Sequence, residues 1–308
     1  TTLSDHPPPS NRSKPVKHRS MNVRCISNRR YQCGESPVWN ARNRTLNWTD
    51  IDGRSLHRYR EGRGHQLDVK MPGRVGCIAP TKSGGFIAAM EHEIIELTDD
   101  FEILRHLCRA ESADPSWRFN DGKCDRSGAF FWVGSIYLPR DKRAAGVWRL
   151  SRDGAFDLVI ENITTANGIA WSPDGSAMYV ADSWHSTIWA YDYDGATGNI
   201  SNRRIFYQTS AQQGRPDGAA VDDKGYYWFA AFGAGRVVCL TPGGRLDREI
   251  SVPVTCPTMV AFGGPDLRTV FVTSSSDDAV GPLFDHLDPA GGVLSFRSES
   301  KGIEEALF

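Results

Sequence analysis

The segment Ser172–Gly198 reads SPDGSAMYVADSWHSTIWAYDYDGATG. It contains two runs of strand-forming residues, AMYVAD and TIWAYDY, with turn sequences on either side. Aromatic and β-branched residues favour β-strands, and Asp-Gly and Thr-Gly pairs are typical of the turns between them. The segment therefore predicts a β-hairpin, and its value as a fold signal depends on whether the chain repeats it.

Five further strand–turn–strand units accompany this hairpin. Successive units begin roughly 40–50 residues apart, which is the repeat length of β-propeller blades. No long segment has the apolar spacing of a helix. The six units are LNWTDIDGRSLHRY from Leu46, GFIAAMEHEIIEL from Gly85, FFWVGSIYLPRDKRAAGVWRL from Phe130, AMYVADSWHSTIWAY from Ala177, YYWFAAFGAGRVVCL from Tyr226 and TVFVTSSSDDAVGPLFDHLDPAGGVLSF from Thr269.

A second repeated element precedes each hairpin. Its six versions are GESPVW, VGCIAP, NDGKCD, NGIAWSPDG, DGAAVDDKG and TMVAFGG. In a propeller, the innermost strand of each four-stranded blade lines the central channel. We assign these segments to the inner strands, so the predicted fold class is all-β, a six-bladed β-propeller.

Composition limits the other possibilities. The chain has 308 residues and a formal net charge of −1, so no strong basic field favours nucleic acid or an anionic membrane. Residues 1–20 are rich in Pro and Ser and nearly free of apolar side chains, which predicts a disordered extension or an added, non-native segment. Residues 21–308 are predicted to form one domain, cytoplasmic and monomeric.

The seven cysteines form no CxxC pair. An odd count without such pairs argues against a disulfide framework and against a thiolate zinc site. We therefore expect most of these thiols to be buried small side chains in a reducing compartment.

Alignment of the inner strands predicts a ring of side chains around the channel. The positions four residues before Trp39, Ala79, Cys124, Trp171, Val221 and Phe262 are Glu35, Val75, Asn120, Asn167, Asp217 and Thr258. Five of these six side chains carry an oxygen. Carboxylate and amide oxygens suit one divalent ion such as Ca²⁺, Mg²⁺, Mn²⁺, Zn²⁺ or Fe²⁺. The ring therefore predicts a metal site at the top of the channel, although each Asn-Gly or Asp-Gly pair alone would be read as a turn.

The motifs CGESPVWN, RFNDGKCD, ANGIAWSPDG and GRPDGAAVDDKG resemble those of the regucalcin/gluconolactonase/luciferin-regenerating family. The resemblance covers about residues 30–300 and implies a propeller with one divalent metal that hydrolyses a sugar lactone. By motif it implies Glu35, Asn167 and Asp217 as metal ligands. It further implies that Arg118 and Asn120 contact the substrate.

One region departs from the family pattern. Mammalian members carry a substrate-contacting glutamate where this chain has Leu138 and Pro139 in GSIYLPR. The sugar preference is expected to depend on loop residues 136–143 and 182–186.

Lactone hydrolysis needs a positive charge near the carbonyl oxygen and a base for the attacking water. Asp217 is the candidate catalytic base, and a role as metal ligand only is the alternative. Asp182 is a candidate that binds substrate or orients a neighbour, with turn capping as the alternative. His185 is expected to be a surface residue.

Two other functions use the same metal site, and a third shares only the propeller fold. A calcium-binding or regulatory propeller needs the same ligands, and an organophosphate or aryl-ester hydrolase needs the same metal site. A WD-type interaction propeller is disfavoured, because the sequence contains no Trp-Asp dipeptide. The predicted function is metal-dependent hydrolysis of an aldonolactone to the aldonic acid, with a small-molecule sugar lactone as the substrate.

Overall fold

The computed structural model describes residues 17–18, 21–111, 116–276 and 289–308. Its strands form six sheets arranged as the blades of a β-propeller. The predicted extension over residues 1–20 lies outside the described residues except for β1 (Lys17–His18), which pairs parallel to the outer strand of the fifth blade. Residues 277–288 of the sixth predicted hairpin also lie outside the described residues.

The first three blades follow one another along the chain, each written here from the inner strand outward. The first contains β3 (Gly34–Asn40), β4 (Thr45–Asp50), β5 (Ser55–Arg60) and β6 (Gly64–Lys70). The second contains β7 (Val75–Pro80), β8 (Phe86–Met90), β9 (Glu93–Leu97) and β10 (Ile103–Arg109). The third contains β11 (Trp117–Cys124), β12 (Phe130–Tyr137), β13 (Ala145–Ser151) and β14 (Phe156–Ile163).

The remaining blades complete the ring. The fourth contains β15 (Ala166–Trp171), β16 (Ala177–Asp182), β17 (Thr187–Asp194) and β18 (Asn199–Gln208). The fifth contains β19 (Arg215–Val221), β20 (Tyr227–Phe232), β21 (Arg236–Leu240) and β22 (Leu246–Ser251). The sixth contains β23 (Pro257–Gly263), β24 (Thr269–Ser274), β25 (Leu294–Arg297) and β2 (Arg24–Cys25).

The predicted inner strands are confirmed. Each of the six segments forms the innermost strand of its sheet, and each inner strand contacts the next one around the ring. The ring is closed by β2, since this strand from the N-terminal part of the chain pairs antiparallel with β25 in the sixth blade. Closure through a shared sheet leaves few exposed strand edges.

The core lies between neighbouring blades. Three of its largest fully buried side chains are Trp48, Trp132 and Trp228. A buried carboxylate forms a hydrogen bond with this aromatic core, since Trp228 donates its indole N–H to Asp222 at 3.1 Å. The same carboxylate accepts the backbone N–H of Tyr226 at 3.0 Å and so closes the turn between β19 and β20. The Asp-Lys-Gly turn sequence therefore serves both the hairpin and the core.

The end of the chain covers one mouth of the channel. Gly302 forms a bridge with Asp222, and the backbone N–H of Phe308 donates to Pro80 at 2.9 Å. Between these two points the buried Lys123 pairs with Glu305 at 3.2 Å. These contacts lie where the inner strands end, so the other mouth is the open one.

We predict that Glu305→Ala destabilises the protein by about 3 kcal/mol, because it leaves the ammonium of Lys123 buried without its carboxylate. Urea unfolding of wild type and variant measures the difference. Glu304→Ala is the matched control, since Glu304 is exposed and should change the unfolding free energy by less than about 0.5 kcal/mol. Equal stability of both variants would show that the pair contributes nothing.

Candidate active site

The open mouth holds a cavity of about 770 Å³ whose floor is formed by the inner strands. The cavity brings together all five oxygen-bearing residues of the predicted ring. They are Glu35, Asn120, Asn167, Asp217 and Thr258. Each is buried, with exposed fractions of 8% or less. The sixth ring position, Val75, is fully buried and is not among the cavity-lining residues described.

A β-bulge occurs at the ring position of every inner strand. The strand register shifts between Glu35 and Val38, Val75 and Cys77, Phe119 and Gly122, Asn167 and Ala170, Pro216 and Ala219, and Pro257 and Met259. Bulges bend a strand and re-aim its side chains. The six repeated bulges explain how side chains near the start of buried strands face the cavity.

The bulge geometry requires a small residue after two of the site residues. Gly168 has φ +61°, and a Cβ there would lie 2.3 Å from the hydroxyl oxygen of Tyr227. That hydroxyl donates to the carbonyl of Gly168 at 2.8 Å. A Cβ at Gly218 would lie 2.3 Å from the side chain of Met259. The Asn-Gly and Asp-Gly pairs of the sequence are therefore packing requirements as well as turn signals.

Hydrogen bonds hold the amide groups in one orientation. Asn167 donates through Nδ2 to Ser183 at 2.8 Å, and the hydroxyl of Ser183 donates to the carbonyl of Pro216 at 2.6 Å. Asn120 donates to Asn167 Oδ1 at 2.6 Å, and Arg118 donates to Asn120 Oδ1 at 2.8 Å. The side-chain oxygen of Asn167 is thereby held away from Ser183. The sequence did not identify Ser183 as a site residue, because the carbonyl group that orients its hydroxyl belongs to the neighbouring blade.

The buried carboxylates repel one another. Burial, then the charge of Asp121, raise the pKa of Glu35 from 4.5 to about 8. Burial, then the charges of Glu35 and Asp121, raise the pKa of Asp217 well above its usual value. Neither Glu35 nor Asp217 has a Lys, Arg or His partner within 4.0 Å among the described residues. Buried acids without a counter-charge are destabilised unless they are protonated or a cation is bound.

Asp121 is a third carboxylate that sequence reasoning did not assign. One of its oxygens accepts the backbone N–H of Ile169 at 3.0 Å, and the other is buried without a hydrogen-bond partner. Burial raises its pKa. Asp121 follows Asn120 directly in the Asn-Asp-Gly motif, which is typical of a turn. Nothing in that motif indicates that the carboxyl group is buried near the axis.

The residues present fit a divalent cation. Glu35 and Asp217 provide two carboxylates, Asn167 provides an amide oxygen, and Asp121, with one partnerless oxygen, adds negative potential at both carboxylates. Such a hard oxygen donor set is the type that Ca²⁺, Mg²⁺ or Mn²⁺ prefers. The donors lie on three different blades, so a bound ion would also link those blades.

Asp182 lies behind the cavity wall. Its two carboxylate oxygens accept the backbone N–H groups of Thr164 at 3.4 Å and Thr165 at 3.3 Å, and its Oδ2 lies 2.9 Å from the ring of His185. Asp50 binds the backbone of Gln32 and Cys33 in the same way in the first blade. Asp182 therefore braces the entry to the inner strand that carries Asn167. Its contact with substrate stays a prediction.

The loop that departs from the family pattern presents a different residue to the cavity. Leu138 is 47% exposed, whereas Arg140, two residues later, lines the cavity. Trp184 of loop 182–186 lines it as well. The two loops expected to shape the substrate preference thus both reach the open mouth.

A second cluster of possible ligands lies on the outer strands of the first blade. The carboxylate of Asp68 bonds the rings of both His57 and His65, the latter at 2.6 Å, and pairs with Arg29 at 2.7 Å. A single oxygen shared by two imidazole rings beside a guanidinium is a hydrogen-bond network. None of these residues lines the cavity.

The fold and the axial carboxylates define a six-bladed β-propeller with a polar site at one mouth of its channel. The family model described as "SMP-30/Gluconolactonase/LRE-like region" matches residues 33–276. The chain therefore belongs to the SMP-30/gluconolactonase/LRE-like family, as the motifs predicted.

Individual relatives cover almost the whole chain. The 6-deoxy-6-sulfogluconolactonase of Pseudomonas putida is 35% identical over 93% of this chain and 98% of its own length. The regucalcin of Xenopus laevis is 32% identical over 94% of this chain and 99% of its own length. A solved luciferin-regenerating enzyme superposes with a TM-score of 0.86 at 28% identity, over 94% and 99% of the two chains. Among the described residues, no helix has the length and apolar character to cross a membrane.

We predict that the metal-free protein loses stability as the pH rises from about 5 to about 8. In this range the unfolded chain has released the proton of Glu35, whose ordinary pKa is 4.5, while the folded protein retains it up to about 8. Because the folded state then binds more protons, stability decreases with rising pH. Glu35→Gln should flatten this slope by up to about 1.4 kcal/mol per pH unit.

Urea unfolding in the presence of a chelator, repeated between pH 5 and 9, measures this slope. Glu102→Gln is the control, because Glu102 is exposed on the second blade. An unchanged slope in Glu35→Gln would show that its carboxyl group is ionised in the folded protein throughout this range.

Proposed function

We propose that the protein hydrolyses a sugar lactone to the open aldonic acid with the help of one divalent metal ion. The observation that carries this proposal is the convergence of Glu35, Asn167 and Asp217 on one axis, at the floor of a cavity of about 770 Å³. Family membership supports the proposal, and so does the relative from Pseudomonas putida, whose name states that it acts on a sulfogluconolactone.

Glu35, Asn167 and Asp217 would hold the ion. Its positive charge would stabilise the negative charge that develops on the lactone carbonyl oxygen as water attacks. The chemistry of the donor set agrees with such an ion. The two carboxylates would together balance its charge, and the ion would offset the burial and the neighbouring negative charges that raise the pKa of Glu35 and of Asp217.

The remaining steps belong to the side chains. Asp217 accepts a proton from the water whose oxygen bonds to the carbonyl carbon, and the proton then passes to the ring oxygen as the carbon–oxygen bond of the ring breaks. The products are a carboxylic acid and a hydroxyl group on the same open chain.

Arg118 and Asn120 orient the substrate in this proposal. The guanidinium of Arg118 donates to the carbonyl of Phe119 at 2.9 Å and to Asn120, so its position is determined before substrate binds. Its other N–H groups can face the hydroxyl groups of the sugar ring. Holding the ring in one orientation places the carbonyl carbon next to the water that Asp217 activates.

The first experiment measures lactone hydrolysis with a pH indicator, on chelator-treated protein to which each divalent ion is restored in turn. Asp217→Asn should lower kcat/KM by at least about 10³-fold, because a neutral amide cannot accept the proton. Asp223→Asn is the matched control, since Asp223 is exposed in the turn that follows the same strand. If the ion binds by calorimetry and no lactone is hydrolysed, a calcium-binding role replaces the lactonase proposal.

Arg118→Lys should raise KM about tenfold and lower kcat less, because lysine keeps the charge but loses the fork of N–H donors. Steady-state kinetics on the best lactone measure the two parameters. Arg126→Lys is the control, since Arg126 bonds the C-terminal segment at the opposite mouth. A fall in kcat with unchanged KM would contradict a role in binding.

A further inference from the structure

An excess of positive charge lies on the wall of the cavity above the carboxylates. Four arginines line it, and they are Arg74, Arg118, Arg140 and Arg215. Arg74 is neutralised, because it pairs with Asp52 at 2.8 Å and with Glu91 at 3.5 Å. The other three have no carboxylate partner within 4.0 Å among the residues that the structure describes.

Two of these arginines share one aromatic ring. The guanidinium carbon of Arg215 lies 4.3 Å from the ring centroid of Trp184, and that of Arg140 lies 5.3 Å from it. Cation–π contacts of this kind orient a guanidinium while leaving its N–H groups free. Trp184 also lines the cavity and is 37% exposed. The arrangement holds two unpaired cations at the rim, in positions that solvent and substrate can reach.

The inner strand relates this rim to the reacting centre. Arg215 precedes Asp217 by two residues on β19, and both residues line the cavity. A distance of about 6–7 Å along the strand therefore separates the rim from the carboxylate. A hexonolactone spans a similar length from its carbonyl oxygen to an anionic group on its exocyclic carbon. A lactone with its carbonyl at Asp217 would therefore direct its far end towards the rim.

We propose that the substrate is an aldonolactone with an anionic group at the carbon farthest from the carbonyl, and that Arg140 and Arg215 bind this group. A sulfonate, a phosphate and a carboxylate share the required chemistry, since each accepts paired hydrogen bonds from guanidinium groups. This inference rests on the proposed lactonase function and adds the substrate class. A neutral sugar lactone would leave both arginines without an anion.

The test compares gluconolactone with the same lactone carrying a 6-sulfonate, a 6-phosphate or a 6-carboxylate. The wild-type protein should prefer at least one anionic form by about tenfold or more in kcat/KM, and the ranking identifies the anion. Arg215→Gln and Arg140→Gln should each reduce the ratio of anionic to neutral kcat/KM by about tenfold. Added salt should lower the same ratio.

Arg203→Gln is the matched control. Arg203 stacks on a tryptophan at 3.8 Å in the same way, but it lies on the outer strand of the fourth blade, away from the cavity. It should leave the ratio unchanged. A wild-type ratio near one, or an Arg215→Gln variant that lowers both rates equally, overturns the proposal.

A binding measurement separates this inference from the proposed reaction. Calorimetry compares 1,5-anhydroglucitol with its 6-phosphate and 6-sulfonate, which have no carbonyl to hydrolyse. If no lactone is turned over but an anionic form binds more tightly and Arg215→Gln removes the difference, the lactonase proposal fails and the anion subsite stands. Equal binding of the neutral and both anionic forms overturns the subsite.

Discussion

The site depends on one geometric constraint, which is that six inner strands share a single axis. Each inner strand contacts the next, and β2 closes the ring by pairing with β25. Residues at one register position on different strands must then meet at one level of the channel. Glu35 and Asp217, which are 182 positions apart in sequence, are brought together only because the ring is closed.

Charge is layered along this axis. Arginines line the rim, the carboxylates of Glu35 and Asp217 lie at the floor of the cavity, and Asp121 acts electrically on both. Towards the opposite mouth, Lys123 pairs with Glu305 of the C-terminal segment. The C-terminal segment covers this lower end and shields the carboxylates from bulk water on that side, which strengthens the charge interactions in the site.

Backbone hydrogen bonds and core packing explain why the fold tolerates buried carboxylates that repel one another. Asp50 and Asp182 brace the starts of two inner strands through backbone N–H groups, and β-bulges then turn the following side chains towards the cavity. These contacts hold Glu35 and Asn167 in place before any ligand binds. The aromatic core between the blades provides the burial that offsets the repulsion among the acids.

Periodicity and register, which are local properties of the chain, were sufficient to predict the fold. The 40–50-residue repeat predicted six blades, and counting back from Trp39 and its equivalents predicted the ring of polar residues that the structure places in one cavity. Strands alternate regularly and propeller blades repeat, so the position of a side chain in one blade determines its position relative to all the others.

The rest required the tertiary structure. Ser183 acts on Asn167 through a hydrogen bond whose other partner, Pro216, belongs to the next blade. Arg140 and Trp184 come together from loops of different blades, and loop paths follow no period. The Asn-Asp-Gly motif is typical of a turn, and only the tertiary structure shows that the carboxyl group of Asp121 is buried. The sequence alone determined five of the residues that meet in the cavity at the axis, whereas only packing between blades decided their partners, their protonation and the charge of the rim.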